Sequence, residues 1–430
     1  MIHPLIYLLL HSLTSAHADN GLTLNQAMQE GIDNNPSLKM SKAALEEARA
    51  KKRETFGSYL PKVDILANHV FKLKYQEIQI SPTSVFESTY PKTSFGARAE
   101  INLFDGFKTT YSYSGSKSLV VAADFELAHT LMSTENTIRL KFVQALGAQV
   151  LASVAETNVK TLSDHLKRAQ ELYRLGEFTK VDVLKIQVQL EQAIPEKLAA
   201  ADNVYLTRKA LSEAMGVEND ERPLLDTLPV PKVEVVKNLD TNSSDLAKNR
   251  LDLKALEKRV EASDDLYKAN RSIWMPKVNL VADYQYYNNR NYSFSETEKF
   301  RNSYALGVNF VWNLFDGGAS FARLEGSYYQ KLQQEQKARK LAMNSSNEIE
   351  FWKRRYINSA VLYSAKLRSV DASKESVRIY QNGLKAGTRT NSDLLDAELD
   401  LDRSEAGVIK AQIDAVEALL NLELAMGRRI

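Results

Sequence analysis

Asn102-Leu103-Phe104-Asp105-Gly106 returns as Asn313-Leu314-Phe315-Asp316-Gly317, an offset of 211. Pro61-Lys62-Val63 returns as Pro276-Lys277-Val278 at an offset of 215. Gly176 with Asp182 and Leu184 matches Gly387 with Asp393 and Leu395, and Ala214-Met215-Gly216 matches Ala425-Met426-Gly427, both at 211. Only the segment between the Pro and the Asp changes length, by four residues, so two halves carry the same parts in the same order. The chain divides into a first repeat over 19–217, a linker or equatorial region over 218–250 punctuated by Pro223, Pro229 and Pro231, and a second repeat over 251–430. Residues 1–18 read as a secretory signal peptide, because Leu5 to Leu10 is apolar and Ala16-His17-Ala18 is an A-x-A cleavage pattern.

Within each half the hydrophobic period switches from helix to strand and back. Val63, Ile65, Ala67, His69, Phe71, Leu73 and Tyr75 face one way, while Lys62, Asp64, Asn68, Lys72, Lys74 and Gln76 face the other. The same alternation runs through Phe95, Ala97, Ala99, Ile101 and Leu103, then Val278 to Tyr286, then Tyr304 to Trp312. These patterns predict strands over about 62–76, 93–104, 277–287 and 303–314, preceded by short helices and joined by polar connections at 77–92 and 288–302. After each Asp-Gly the spacing becomes 3-4, from Leu127 through Ile138, Ala145, Leu162 and Ala169 to Tyr173, and from Leu394 through Ala415 and Leu422 to Ala425. That is a heptad seam, and it predicts long helical hairpins over about 107–216 and 317–427. Asp105 and Asp316, where strand gives way to helix, are placed to accept from the free N–H groups of the first turn.

Composition removes several function classes. With 56 Lys+Arg against 54 Asp+Glu the net charge is +2, which supplies no basic field for nucleic acid. The absence of Cys excludes a disulfide framework, a thiolate site and a lipid-modified Cys anchor. His3, His11 and His17 lie in the signal segment, and His69, His129 and His165 have no partner at metal-ligand spacing. No phosphate loop or nucleophile elbow is present, so neither an enzyme, a metal site nor a cofactor is expected.

Strands with one apolar and one polar face, in an exported chain without 18 uninterrupted apolar residues, suit a membrane barrel with a wet lumen. Tyr75, Tyr284, Tyr286, Tyr304 and Trp312 would suit interfacial girdles. Four strands cannot close a barrel, and open edges are not tolerated in hydrocarbon. The chain would have to oligomerise, with eight strands from two copies or twelve from three. A four-stranded sheet with one buried face on a coiled coil, a soluble periplasmic scaffold, is the alternative.

The order of these parts, Pro-Lys-Val strand start, Asn-Leu-Phe-Asp-Gly strand exit, long helix, Gly-containing tip and Leu-rich helix, resembles the TolC-type outer-membrane efflux proteins over about Gly21 to Gly427. The resemblance implies a mixed α and β fold: a homotrimeric twelve-stranded transmembrane β-barrel, four strands per chain, continued by a long periplasmic α-helical barrel. It also implies an outer-membrane exit duct in contact with lipid, served by a periplasmic adaptor protein and an inner-membrane transporter of an efflux or type I secretion system.

Asp393, Asp396 and Asp400 share one helical face just after the Gly387 tip. From spacing alone they form either a solvated face or, ringed in an oligomer, an electrostatic constriction. Thr388-Arg389-Thr390 and Asp393-Leu394-Leu395-Asp396 match the family's tip and its constricting Asp pair, so the resemblance implies a gate, with Arg389 tied toward Asp182. Leu384 and Val181 depart from the pattern, standing where polar tip partners are expected. The resemblance further implies that Arg174, Leu175, Gly176, Glu177 and Phe178, with Lys385, Ala386, Gly387 and Thr388, face the adaptor.

Overall fold

The computed structural model describes residues 21–71, 76–88, 93–237, 239, 249–288 and 300–430. The signal segment, Tyr75 and most of the second connection, 289–299, lie outside the described residues, as do 240–248 of the linker region. In chain order the elements are α1 (Leu24–Asn34), α2 (Pro36–Gly57), β1 (Lys62–His69), β2 (Gln76–Ser81), β3 (Ser84–Ser88), β4 (Thr93–Phe104), α3 (Lys108–Arg174) and α4 (Lys180–Met215). The second half follows with α5 (Glu234–Lys237), α6 (Leu251–Arg271), a 3₁₀ turn (Ser272–Trp274), β5 (Lys277–Asn288), β6 (Arg301–Val311), α7 (Ala319–Lys385) and α8 (Asn391–Met426). They fall into two compact units, one of Ala43–Phe125 and Leu253–Lys340, the other of Met1–Lys42, Glu126–Asp252 and Leu341–Ile430.

The first unit holds a four-stranded antiparallel sheet in the order β1-β4-β5-β6. Register puts Lys62 opposite Glu100, Arg98 opposite Asp283 and Asn279 opposite Asn309, so the charged residues share one face. There Arg98 Nε donates to Asp283 Oδ1 at 2.6 Å and Asn279 Nδ2 to Glu100 Oε1 at 2.6 Å. The other face is apolar and uncovered: Ile65 and Tyr304 are each 87% exposed, Leu306 73% and Val308 64%. A soluble sheet packs one face on a core; this one leaves its apolar face bare and both β1 and β6 unpaired on their outer sides among the described residues.

Three strand expectations change. The first strand stops at His69 rather than 76, because its partner β4 begins at Thr93, opposite His69. The last stops at Val311 rather than 314, because Val311 pairs with Lys277, where β5 begins. Alternation in sequence continues past both points, but a ladder ends where its partner ends. The expected polar loop 77–92 contains a hairpin, β2 paired with β3, from Gln76↔Ser88 to Ser81↔Ser84.

Each strand-to-helix corner uses two left-handed residues, Gly106 (φ 71) and Phe107 (φ 68) in one repeat, Gly317 (φ 72) and Gly318 (φ 87) in the other. Asp105 reaches across them to accept from the Thr109 amide at 3.0 Å, and Asp316 accepts from the Ser320 amide at 3.2 Å. The helices therefore begin three residues after each Asp, with the expected capping bonds in place.

α3 and α7 are each 67 residues long and α4 and α8 each 36, starting 211 residues apart in both pairs. At 1.5 Å per residue the longer helices measure roughly 100 Å. α4 runs through Pro195 despite the lost backbone bond. By length and composition α3 contains a stretch apolar enough to cross a membrane, 39% of it buried within the chain. Seam positions Ile138, Ala145, Ala148 and Ala169 on α3, and Ala411, Ala415, Ala418 and Leu422 on α8, are buried.

The second unit has paired cores. Ile138, Leu211 and Met215 pack with Leu22 and Ala27, while Ile349, Leu422 and Met426, each 211 further on, pack with Val236. The start of the linker is bound: Leu22 donates its amide to the Pro223 carbonyl at 2.7 Å, and the Arg222 guanidinium holds Asp220 and Glu30. Gly216 and Gly427 end α4 and α8 in left-handed backbone. A Cβ on Gly427 would sit 2.6 Å from the Asn249 carbonyl oxygen. Gly427→Ala should therefore destabilise the helical unit by roughly 1–3 kcal/mol, read as a lower midpoint in denaturant melts followed by circular dichroism.

Candidate functional site

The tips repeat one local design. The chain leaves α3 through Gly176 (φ 82) and α7 through Gly387 (φ 71). Glu177 donates to the Leu172 carbonyl at 2.9 Å, and Thr388, its counterpart, to the Gly383 carbonyl at 2.9 Å. Both turns then enter a helix by a capping box, Thr179 with Asp182 and Thr390 with Asp393. These reciprocal bonds satisfy amides that a helix start leaves free. Phe178 packs against the buried cluster that includes Ala169 and Ile186, and Leu384 against that of Val377, Leu394 and Ala397. Leu384, read in sequence as a departure from a polar pattern, thus serves the core of its hairpin.

The expected acidic face separates into two kinds of residue. Asp393 is held by the Thr390 amide at 2.9 Å, and that backbone bond, then the Thr390 hydroxyl, lowers its pKa. Asp182 is held by Thr179 in the same way, its hydroxyl bond coming first. Asp396 and Asp400 are exposed, and Asp400 lies 3.8 Å from Arg403. Asp393 therefore starts the helix, and Asp396 and Asp400 project from it.

The expected approach of Arg389 to Asp182 is not among the described contacts. The Arg389 guanidinium lies over the Tyr380 ring at 5.2 Å, a cation–π contact, while Asp182 is engaged by its own cap. The first and second hairpins meet instead through Lys185 Nζ, which donates to Ser392 Oγ at 3.2 Å, and through Leu395, which joins the α3–α4 core. Lys185, Ser392 and Tyr380 were not singled out in the sequence. One signal was available: Lys185 is the repeat counterpart of Asp396 at the offset of 211, so the two tips carry opposite charge at one position.

Leu175 and Val181 of the first tip are exposed, as are Arg174, Gly176 and Glu177 and, on the second, Lys385, Ala386, Gly387 and Thr388. Among the described residues no group of three or more His, Asp or Glu is arranged to hold a metal ion.

With this geometry established, similarity to known proteins is informative. The family described as outer membrane efflux protein matches residues 27–217 and 242–428, nearly all of both repeats. Outer membrane protein TolC of Vibrio cholerae is 21% identical over 307 residues, 71% of this chain and 70% of that protein. Outer membrane efflux protein BepC of Brucella suis is 22% identical over 426 residues, covering 94% of this chain and 85% of its own. The crystal structure of the outer membrane protein VceC from Vibrio cholerae superposes with a TM-score of 0.77 at 18% identity, over 94% of this chain and 96% of that one, a likeness of fold.

Thr179→Ala removes the hydroxyl half of the first capping box and should cost about 1 kcal/mol locally. Hydrogen exchange should show faster opening of the first turn of α4, with the α8 start unchanged. The sign of the acid effect follows from the lowered pKa of Asp182 and Asp393. Their cap stabilisation is complete above the ordinary carboxylate value and is lost as pH falls through the lower folded one. Exchange at both helix starts should therefore quicken, after correction for intrinsic rates, only in acid below about pH 4.

Proposed function

The chain belongs to the outer membrane efflux protein family, and on that premise we propose that three copies close a single twelve-stranded barrel and conduct substrate through it. The chain is a passive exit duct of the outer membrane, neither an enzyme nor a soluble scaffold. One observation carries the trimer: a four-stranded sheet with a bare apolar face and two unpaired edges. Hydrocarbon does not tolerate free backbone groups, so β6 of one copy must pair with β1 of the next. Eight strands from two copies would enclose a space filled by side chains. The inward row Lys62, Asp64, Arg98, Glu100 and Asp283 needs water instead, which favours twelve.

In this reading the helical hairpins of the three copies continue as a tunnel through the periplasm. Asp396 and Asp400 supply its acidic constriction, with Asp393 fixing the start of the helix that carries them. Lys185–Ser392 and Arg389–Tyr380 hold the second hairpin in place. Closely set carboxylates admit cations and raise a barrier to anions. The tips, exposed at Arg174 to Glu177 and Lys385 to Thr388 and backed by Phe178, face a periplasmic adaptor, and an inner-membrane transporter supplies the driving force. Family membership supports these partners as a class.

Detergent-purified protein should have the mass of a trimer and give small, cation-selective currents in planar bilayers. A monomer stable in plain buffer, with no insertion, would sink the duct. Lys185→Ala and Asp396→Ala should each raise single-channel conductance, the second also reducing cation selectivity; unchanged currents in both remove the gate assignment. On the outer face of the barrel, Leu306→Arg should cost roughly 2–4 kcal/mol if it sits near the bilayer midplane, measured by urea unfolding from liposomes, whereas Asn309→Arg on the lumen face should cost much less.

A further inference from the structure

The helical unit contains a polar cavity that the duct reading leaves without a role. It has a volume of about 100 Å³ and lies between α3, α4 and α8. Its polar lining is Asn158, Gln189, Gln192, Glu196, Glu398 and Asp402, and neither Lys nor Arg lines it. Three carboxyl groups thus face one small space without a counter-ion in its wall. Gln189 Oε1, also in that wall, is fully buried and accepts no hydrogen bond. A buried amide oxygen calls for a donor. A carboxylate has none to give, whereas a carboxylic acid has one.

We propose that Glu398 and Asp402 form a proton-binding clasp: protonated, they hydrogen-bond across the cavity and hold α8 against α3 and α4; ionised, they repel each other and loosen it. The packed helix is the one that carries Asp396, so the effect on conduction rests on the duct reading, while the effect on packing does not.

The surroundings favour neutral groups. Burial, reinforced by Asp402, pushes Glu398 up to about 7. Burial, with Glu405 and Glu196 beside it, pushes Asp402 up to about 6. From α3, His165 Nε2 lies 3.9 Å from Glu398 Oε1, too far for a hydrogen bond. Burial and then Arg168 lower the His165 pKa, with Asp164 opposing, so the imidazole does not supply a standing positive charge. From α7, Gln381 opposes, its side chain favouring the ionised form of Glu398, and Lys374 is engaged by Glu405 at 3.4 Å. From α4, Lys197 is engaged by Glu156 at 3.1 Å.

Both raised carboxyls bind protons more tightly in the packed state. Their contribution is complete below the ordinary values of 4.5 and 3.8 and is lost as pH rises through about 6 and about 7. His165, lowered from 6.5, acts in the opposite sense, favouring the packed state as pH rises. Two carboxyls against one imidazole leave a net loosening on the alkaline side.

Hydrogen exchange of the full detergent-purified chain, at about pH 5.5 and about pH 8 with intrinsic rates corrected, tests this directly. The first half of α8 should open several-fold more readily at the higher pH. Glu398→Gln with Asp402→Asn should remove the loosening at the higher pH, leaving at most the opposite, smaller effect of His165, and Asp202→Asn, an exposed acid on α4, should preserve the loosening. Equal protection of the native chain at both values, or a loosening that survives the double substitution, would overturn the clasp. So would protection at the higher pH restored by millimolar Ca²⁺, which would give the cavity to a cation. Bilayer recordings on the same samples separate the two ideas: pH-dependent exchange without current removes the duct alone, and current with pH-independent exchange removes the clasp alone.

Discussion

Pairing of backbone N–H and C=O groups is the constraint on which everything else in this chain depends. In hydrocarbon an unpaired peptide group has no water to fall back on. The sheet order β1-β4-β5-β6 satisfies its inner ladders and leaves one edge at each end. An apolar face of Ile65, Tyr304, Leu306 and Val308 excludes the remedy a soluble protein would use, a helix or loop laid over it, because that face is bare. Closure by further copies meets both demands at once, joining the edges and giving the bare face to lipid.

The helices answer a different demand with the same economy of parts. Buried Ala at successive seam positions, Ala411, Ala415 and Ala418 on α8, leaves room for backbones to approach closely. Duplication then reuses each solution: Ile138 with Ile349, Leu211 with Leu422, and Met215 with Met426 occupy matching places in two separate cores. The repeats share their left-handed C-caps and capping boxes too, since helix ends impose the same unsatisfied groups wherever they fall.

Much of this was legible in the sequence because it is periodic. The offset of 211 and the 3-4 spacing gave hairpins over about 107–216 and 317–427, each of which holds one 67-residue helix, and Asp105 and Asp316 announced their starts. Strand ends were less legible: His69 and Val311 end their strands because Thr93 and Lys277 begin the partners, a fact of pairing rather than of pattern. Side-chain partners at the tips were harder still. Asp182 and Asp393 look like free acids in a run of residues, yet each is already engaged by the Thr three positions before it. Arg389, four residues before Asp393, turns to Tyr380 on the preceding helix. Glu398 and Asp402 were not singled out in the sequence, and only the crossing of three helices makes them neighbours of one cavity.

Departures from the repeat carry more functional meaning than the repeat itself. Where duplication is kept, physics gives a structural reason in a cap, a core or a corner. Where it is broken, Asp396 takes the place of Lys185, Glu398 of Gln187 and Asp400 of Gln189. The second hairpin is thus richer in acids at the same helical level, and the first supplies the Lys that reaches Ser392. Over 391–405 α8 carries six acids and one Arg, against two acids and two Lys over 180–194 of α4, so the start of α8 repels its own copies in an oligomer more than the start of α4 does. It is therefore the element least firmly held by electrostatics and the one whose position small contacts can set. Mobility, in this chain, is expected at the start of α8, where the sequence broke the symmetry.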